Sequence, residues 1–336
     1  MIGVGMLMIQ VLLGGITRLT GSGLSITEWD VVTGTLPPLN QQQWMTEFHK
    51  YQLTPQYRLL NTDFTLGDFK FIFFWEYTHR LWARIIGIVF LVPFVIFIAT
   101  KRIRQDMIIP LVVLVMLGAM QGLVGWIMVA SGLTGDAIYV NPVKLTLHFL
   151  FAMGLIAYTF WFGLQLLVRE QRRRKDEGLI KWCIALLTLV AIQLAFGALM
   201  AGNKAASAAP TWPSINGAAW PAGLWSETPG IRNLFDNKIT IQFIHRGLAY
   251  LIFCAIAAFT WKAYMKGLRS AWIPMALVCL QVMLGIYTVL TSDYPRTGPW
   301  GTFQWIAQAH QLVGMFLFLS LLYVYYLVHG RRPTRI

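Results

Sequence analysis

Charged side chains are scarce in this chain, and acidic ones are scarcer still. Of its 336 residues, 12% are Asp, Glu, Lys or Arg and 14 are acidic, whereas 57% are hydrophobic. The hydrophobic residues come in long uninterrupted blocks, unlike the short stripes that face the core of a soluble domain. This composition excludes a soluble globular protein and indicates a chain that crosses a membrane several times.

Cysteine is also rare, and the familiar motifs of soluble enzymes are missing. The three cysteines, Cys183, Cys254 and Cys279, lie in hydrophobic blocks without the close spacing of a metal or redox pair. We interpret them as small core residues, and the sequence offers no disulfide for an outer loop. It contains no phosphate-binding glycine loop, zinc signature or nucleophile elbow, which excludes the enzyme classes that carry them.

The hydrophobic blocks predict eight membrane spans. A helix needs about 20 mostly apolar residues to cross a membrane, and seven blocks reach that length. An eighth, IGVGMLMIQVLLGGI, is shorter and lacks the basic leader and cleavage site of a signal peptide, so we expect it to be the first span. The predicted spans are residues 2–16, 69–100, 107–130, 142–168, 180–201, 238–261, 271–291 and 303–328. The predicted fold class is an all-α membrane protein.

The formal net charge of +13 follows this topology. Basic residues cluster after spans two, four and six and at the end of the chain. The clusters lie within residues 101–104, 169–175, 262–269 and 331–335. By the positive-inside rule, even-numbered spans end on the cytoplasmic or matrix side, where both termini also lie. The expected partners of this charge are membrane lipids with anionic head groups, and no nucleic acid is expected.

The two halves of the chain resemble each other. The segments EYTHRLWAR, QGLVGWIMVASG and KLTLHFLFAMG of spans two to four correspond to QFIHRGLAY, QVMLGIYTVLTS and IAQAHQLVGMF of spans six to eight. Because each copy has four spans, the copies share one orientation, and such parallel repeats carry their sites at corresponding positions. The predicted domains are a four-helix half at residues 1–168, a basic linker at 169–179 and a four-helix half at 180–336.

The repeat aligns four of the six histidines, one in each even-numbered span. They are His79, His148, His245 and His310. A rise of 1.5 Å per residue places them about 9 to 15 Å below the outer surface. One such histidine is more often an interhelical hydrogen-bonding residue, but four at one depth favour two bis-histidine haem sites, one in each half. Glycines nearby allow close helix packing or leave room for a flat macrocycle. They are Gly118, Gly122, Gly125 and Gly285.

The copies differ in one acidic residue. Glu76 lies three residues before His79, on the same helical face, whereas Gln242 has the corresponding place in span six. A carboxyl group buried beside a haem can exchange protons during a reaction. The alternative is a structural ion pair with Arg80 or Arg84. The difference suggests one pocket for chemistry and one for a resident haem.

Two arginines and two loop segments leave their roles open. Arg80 and Arg246 each directly follow a candidate ligand and are suited to haem propionates or to lipid phosphate. The glycine- and hydroxyl-rich residues 14–29, and their weaker counterpart 196–221, are suited to lie close over a cofactor. A flexible outer loop with capping hydroxyl groups has the same composition.

Taken together and in order, the motifs resemble those of the haem A synthase family across nearly the whole chain. The resemblance rests on GGITRLTGSGLS, DFKFIFFWEYTHRLWAR, QGLVGWIMVASGL, TLHFLFA, TWPSING, QFIHRGLAY, QVMLGIYTVL and AHQLVG. It implies two four-helix bundles and the oxidation of a haem O methyl group to a formyl group, yielding the haem A of terminal oxidases. The chain lacks the cysteine pair that some members carry in the first outer loop, so we expect no thiol chemistry there.

The resemblance also implies roles for residues and partners. His79 and His148 would bind haem O, with Glu76 assisting, while His245 and His310 would hold haem B. Electrons would leave the methyl group in stages, through the second haem, with water or oxygen as the oxygen source. We expect haem O synthase to supply the substrate. The expected location is a bacterial cytoplasmic membrane rather than a mitochondrial inner membrane, and the electron acceptor stays open.

Two other functions compete with this one. A non-catalytic di-haem membrane cytochrome fits everything except Glu76 and the family motifs. A transporter fits the parallel repeat, but the four histidines lie near the outer surface rather than the membrane centre, and acidic residues are scarce in the spans. Bound haem in the purified protein distinguishes the transporter from the other two.

Overall fold

A computed structural model of the chain describes residues 1–28, 33–293 and 300–330, with the backbone alone at residue 33. Residue 29 and the basic residues 331–335 lie outside the described part. Within that part the chain forms ten α-helices, several short 3-10 turns and no β-strand beyond isolated bridges. The predicted all-α fold class is confirmed.

The ten helices are numbered along the chain. They are α1 (Ile2–Leu19), α2 (Gln41–Gln52), α3 (Pro55–Leu60), α4 (Leu66–Ala99), α5 (Gln105–Ala130), α6 (Pro142–Leu167), α7 (Glu177–Gly202), α8 (Lys238–Met265), α9 (Trp272–Leu290) and α10 (Thr302–Val328). All except α2 and α3 are long and apolar enough to cross a membrane, which confirms the predicted eight spans. The first span has 18 residues and ends at Leu19, beyond the predicted end at residue 16.

Polar residues fix where several of these helices begin. Thr65 and Asp68 form a reciprocal capping box at the start of α4. The side chain of Asp176 accepts from the Leu179 N–H at the start of α7, and that of Asn237 accepts from two N–H groups of α8. Such caps satisfy backbone N–H groups that have no partner inside the helix. The apolar spans therefore begin at defined residues, which sets the depth of the side chains that follow.

The described chain divides into two compact units. The first unit, Met1–Ile156, contains α1 to α5 and the first part of α6. In this unit α1 packs along α4, while α2, α3 and the start of α4 enclose an aromatic cluster. The buried members of the cluster are Phe48, Tyr51, Ile72, Phe69 and Phe73. This cluster fastens α2 and α3 over the beginning of α4.

The second unit, Ala157–Ile336, is built around helices α7 to α10. Leu186, Ile256, Phe259 and Leu321 belong to its continuous apolar core. Cys183 lies in this core, as expected. Cys254 is exposed, so the prediction that it is a core residue was wrong. An apolar side chain has no free-energy penalty for facing lipid rather than protein. The sequence of an apolar block therefore does not show which of its residues pack against other helices. The predicted domain boundaries at residues 168 and 180 stay predictions.

Candidate functional site

Two histidines face each other in the second unit. His245 on α8 and His310 on α10 have ring centroids 6.4 Å apart, with the ring planes at 77°. Two imidazoles that share one metal ion need a similar separation, because each metal–nitrogen bond is about 2 Å long. The spacing of this pair therefore fits two ligands on opposite sides of a single metal ion.

The first unit brings together the other two histidines. His79 on α4 and His148 on α6 are both partly buried and lie close enough to interact electrostatically. The structure thus places the four histidines in pairs inside each unit, as the sequence repeat predicts. Their role as iron ligands stays a prediction.

Each histidine ring lies against a glycine of another helix. A Cβ atom built on that glycine would contact the ring more closely than nearly all real Cβ contacts. The distances are 3.1 Å from Gly14 to His79 Nε2, 2.8 Å from Gly125 to His148 Cε1, 3.2 Å from Gly197 to His245 Cε1 and 3.0 Å from Gly285 to His310 Cε1. We call these four the cradle glycines. A side chain at Gly125 would force the ring to move, and a side chain at the other three glycines would require the ring to shift by a few tenths of an ångström.

The carboxylate of Glu76 is fully engaged in the first unit. The residue is 2% exposed. Its Oε2 accepts from the Ser25 N–H at 2.8 Å, the Ser25 hydroxyl at 2.7 Å and the Ile26 N–H at 2.9 Å, and its Oε1 accepts from Arg80 at 2.5 Å. The ion pair with Arg80 that the sequence suggested is therefore present. Glu76 ties α4 to the loop that leaves α1, beside the ligand candidate His79.

The two arginines also bind loop backbone. Arg80 donates to the carbonyl oxygens of Ile26 and Glu28 at 3.2 and 3.0 Å. In the second unit, Arg246 donates to those of Ala209 and Ser214 at 3.1 and 3.2 Å. Within the two segments, residues 26–28 are thus held against α4 and residues 209–214 against α8 by the arginines. Binding of propionate or lipid phosphate by Arg80 and Arg246 stays a prediction.

The sequence profile of the family described as cytochrome oxidase assembly protein matches residues 1–322. This covers most of the chain. The chain belongs to the cytochrome oxidase assembly protein family. Its similar relatives include three bacterial proteins, each named "Heme A synthase".

The relatives align over most of their length. The protein from Parvibaculum lavamentivorans is 41% identical over 293 residues, which cover 86% of this chain and 84% of the relative. That from Bradyrhizobium diazoefficiens is 42% identical over 315 residues, covering 91% and 84%. That from Paracoccus denitrificans is 38% identical over 338 residues, covering 96% and 84%. The similarity therefore extends over both units.

The donor set of this chain suits haem better than a bare metal ion. The described residues contain no group of three or more His, Cys, Asp or Glu side chains that could hold a metal. A pair of imidazoles alone is a small ligand set, whereas haem iron has four ligands from its macrocycle and takes axial ligands from the protein. In addition, each of the four imidazoles lies against a cradle glycine. The residues present therefore fit haem.

In the first unit, helices α2 and α3 lie over the start of α4, where they enclose the aromatic cluster. Lys50 of α2 bridges Glu28 and Glu47, both at 2.9 Å, and its hydrogen bond with Glu47, followed by that with Glu28, raises the pKa of Lys50. Tyr51 of α2 lies in the aromatic cluster, and burial raises the pKa of Tyr51 to about 12. The phenol of Tyr51 is therefore neutral at physiological pH.

Sequence reasoning found the histidines but missed half of their glycine contacts. Gly125 and Gly285 were named, whereas Gly14 and Gly197 were not. Gly118 and Gly122, which were named, have no atom within 4 Å of a built Cβ. The missed pair was detectable, because all four cradle glycines lie four residues after a glutamine. Ser25 and Ile26, the partners of Glu76, had no such signal.

Proposed function

We propose that this chain is a haem A synthase of a bacterial cytoplasmic membrane, which oxidises a methyl group of haem O to the formyl group of haem A. The observation that carries this proposal is that the two cradled histidine pairs differ in one neighbour: Glu76 is beside the first pair, and Gln242 is at the matching place in the second. A pocket in which a reaction takes place needs a group that exchanges protons, such as Glu76, whereas a pocket that only holds a resident haem does not. Membership of the family and the names of the relatives support the same function.

The residues divide between two pockets. His79 and His148 would bind the iron of the substrate haem O, and His245 and His310 would hold haem B. Haem B, when bound, supplies one-electron redox chemistry. Each pair holds its haem at a fixed place between helices, because the cradle glycines let the imidazoles sit deep in each unit. Arg80 and Arg246 hold the loops that cover the two pockets.

Glu76 handles protons in this proposal. With water as the source of the formyl oxygen, converting the methyl group into a formyl group releases four electrons and four protons, and the electrons pass to an acceptor outside the chain. Of the groups that donate to Glu76, the Ser25 hydroxyl alone can also accept a proton, because backbone and guanidinium N–H groups only donate. Protons therefore leave Glu76 through Ser25 Oγ.

The surroundings follow from charge and chemistry. We propose that both termini lie on the cytoplasmic side, since the basic clusters follow the even-numbered spans. Haem O synthase is the proposed supplier of substrate, because it makes the molecule that the first pocket takes. Anionic lipids surround the basic loops.

The test is expression of the chain with a source of haem O, followed by extraction of haems and their identification by chromatography and mass. The expected product is haem A, and His79→Ala should abolish it because haem O loses an axial ligand. The matched control is His49→Ala, since His49 is exposed on α2, and this variant should still produce haem A.

The other outcomes would contradict the proposal in distinct ways. Haem B in the purified protein, with haem O left unchanged, would identify a di-haem electron-transfer cytochrome. A purified chain that binds no haem would favour a transporter. Haem A formed equally by the His79→Ala variant would remove the first unit from substrate binding.

A further inference from the structure

The basic linker between α6 and α7 is fastened to the end of α10 in the second unit. The backbone N–H groups of Arg174 and Asp176 donate to carbonyl oxygens at the end of α10, at 2.9 and 3.2 Å. An isolated bridge joins Lys175 to His329 at the same place. The linker is therefore a defined part of this unit, and its backbone sets the direction of each basic side chain.

One arginine of the linker is buried. Arg173 is 7% exposed, whereas its neighbours Arg172 and Arg174 are exposed. The guanidinium carbon of Arg173 lies 4.5 Å from the ring centroid of Tyr326, on α10. Trp161 of α6 packs against the same tyrosine, with the ring centroids 5.0 Å apart. The side chain of Arg173 is thus held in one place by aromatic rings.

Arg173 has no acidic partner among the described residues. Its Nε is buried there without a hydrogen-bond partner, and the linker carboxylates of Asp176 and Glu177 pair with lysines instead. A guanidinium group stays charged and presents five N–H donors. The face of an aromatic ring attracts this charge but is a weak acceptor of hydrogen bonds. Because a buried charge is costly unless it is paired and hydrogen-bonded, an anion would satisfy both needs of Arg173.

The residues before Arg173 add apolar surface and further positive charge. Leu166 and Leu167, which end α6, are 56% and 61% exposed. An open depression follows them, and it is lined by Arg169, Glu170, Gln171 and Arg172. The carboxylate of Glu170 opposes an anion, but the two arginines outweigh its charge. Exposed leucines beside arginines suit a molecule with an apolar chain and an anionic head, whereas a free anion gains nothing from the leucines.

The linker lies far from the histidine pair of the same unit. Its Asp176 pairs with Lys266, the residue after α8, at 2.6 Å. Lys266 is separated from His245 by about 30 Å along α8, at a rise of 1.5 Å per residue. The hydrocarbon core of a membrane is about as thick. The linker is therefore at the level of lipid head groups, on the side where basic residues attract anionic lipids.

We propose that Arg173 is the centre of a specific site for the phosphate group of an anionic membrane lipid. Its guanidinium group donates two parallel hydrogen bonds to phosphate oxygens. Arg169 and Arg172 add positive charge, and Leu166 and Leu167 contact an acyl chain. This inference goes beyond the general contact of basic loops with lipids, because it assigns one head group to one buried arginine. It does not depend on the haem sites.

The test compares two substitutions that remove the same charge. Arg173→Met removes the buried guanidinium group and keeps an unbranched apolar stem against Tyr326. Arg174→Met is the matched control, because Arg173 has extended backbone and successive side chains then point to opposite sides. The wild type and both variants are purified in detergent, freed of lipid and titrated with phosphatidylglycerol or zwitterionic phosphatidylcholine. Native mass spectrometry counts the lipids bound to each chain.

We expect the wild type to bind one phosphatidylglycerol in preference to phosphatidylcholine. Arg173→Met should bind phosphatidylglycerol about 10- to 100-fold more weakly, because hydrogen bonds to a charged group are lost. Arg174→Met should differ from the wild type by about threefold or less, as expected for an exposed charge. Inorganic phosphate, added at the concentration of the lipid, should not displace phosphatidylglycerol, because it makes no contact with the leucines.

A second variant keeps the test decisive if Arg173→Met fails to fold. Arg173→Lys retains a positive charge over the ring of Tyr326 but lacks the planar pair of donors. It should therefore fold and still bind phosphatidylglycerol more weakly than the wild type. Wild-type affinity in Arg173→Lys would contradict a bidentate contact with phosphate.

Three further results would overturn the proposal. Equal affinity of the wild type for the two lipids would show that the site does not select an anion. Equal weakening by Arg173→Met and Arg174→Met would show attraction by net charge alone. Displacement of the lipid by inorganic phosphate would identify a site for a free anion. A wild-type chain without haem would contradict the proposed function and leave this comparison of lipids valid.

Discussion

The Glu76 carboxylate combines a structural and a chemical role that one substitution can separate. It accepts hydrogen bonds from the Ser25 and Ile26 backbone and pairs with the partly buried Arg80. In the second unit the corresponding Gln242 donates to the Ala209 carbonyl at 3.0 Å. A neutral amide at this position is therefore compatible with a folded helix pair and an anchored loop.

We expect Glu76→Gln to fold and to retain haem O but to lower conversion to haem A by about 100-fold or more, as loss of a proton-transfer group does. Glu76→Ala should in addition lower the free energy of unfolding by about 1 to 3 kcal/mol, because it removes the acceptor of the Ser25 and Ile26 N–H groups and of the Arg80 guanidinium. The ratio of haem A to haem O and the thermal unfolding of the purified variants measure both effects. Full conversion by Glu76→Gln would show that the carboxylate is structural only.

Gly125 offers a second test at the same scale. A Cβ at this position would lie 2.8 Å from His148 Cε1, whereas one at Gly122, on the same helix, meets nothing within 4 Å. Gly125→Ala should therefore displace the imidazole and abolish haem O binding. Gly122→Ala should leave binding intact and stabilise the helix by about 0.5 to 1 kcal/mol.

The measurement is the amount of haem O retained per polypeptide after purification of the Gly125→Ala and Gly122→Ala variants. Equal retention in the two alanine variants would mean that the imidazole of His148 does not require the space beside Gly125. Normal retention in Gly125→Ala with loss in Gly122→Ala would place the substrate on another face of α5.

At the scale of elements, α7 and α8 are joined by one carboxylate at their ends away from the histidines. Asp176 Oδ1 caps α7 at the Leu179 N–H, 3.0 Å away, while Oδ2 accepts from Lys266 Nζ at 2.6 Å. The hydrogen bond with Lys266 is the main cause that lowers the pKa of Asp176, followed by the bond with the Leu179 N–H. The same side chain therefore begins one helix and ties it to the end of the next.

Asp176→Asn isolates the ion pair, because asparagine is as good a helix cap as aspartate. A lowered pKa in the folded protein contributes stability above the usual aspartate value, and this is lost as pH falls through the folded-state pKa. We expect the variant to be less stable at pH 7 by up to about 1 kcal/mol, because Lys266 is partly exposed and the pair is screened by solvent. The difference should vanish in acid and shrink in high salt.

Thermal unfolding of the wild type and of Asp176→Asn from pH 7 to pH 2 measures this difference in stability. A difference that persists at pH 2 would assign the effect to the cap rather than the ion pair.

At the scale of the whole molecule, the placement of charge predicts orientation. Lys and Arg follow the even-numbered spans, and the positive-inside rule places those loops in the cytoplasm. In a variant whose native cysteines are replaced, a cysteine at Gln171 should be protected from an impermeant thiol reagent in intact cells. A cysteine in place of Trp220, which is 70% exposed in the loop before α8, should react.

Labelling of intact and opened cells provides the readout. Reaction at position 171 together with protection at position 220 would reverse the proposed orientation and place both haem pockets on the cytoplasmic side.

The sequence by itself determined the eight spans and the four membrane histidines. Hydrophobic length is a property of each segment alone, and a polar ring in hydrocarbon is costly enough to be noticed wherever it occurs. The asymmetry between Glu76 and Gln242 was visible for the same reason, since aligned copies need no coordinates to be compared. The family resemblance added the expected reaction.

Only the tertiary structure decided which residues meet. The backbone partners of Glu76, Ser25 and Ile26, lie 51 and 50 positions away in the chain, and the glycines against His79 and His245 lie on other helices. Spans that are apolar on every side have no hydrophobic stripe to indicate which face turns inward. Rotation and register were therefore set by contacts between helices, such as the amide of Gln193 on the carbonyl of His245, and these contacts are absent from any single segment.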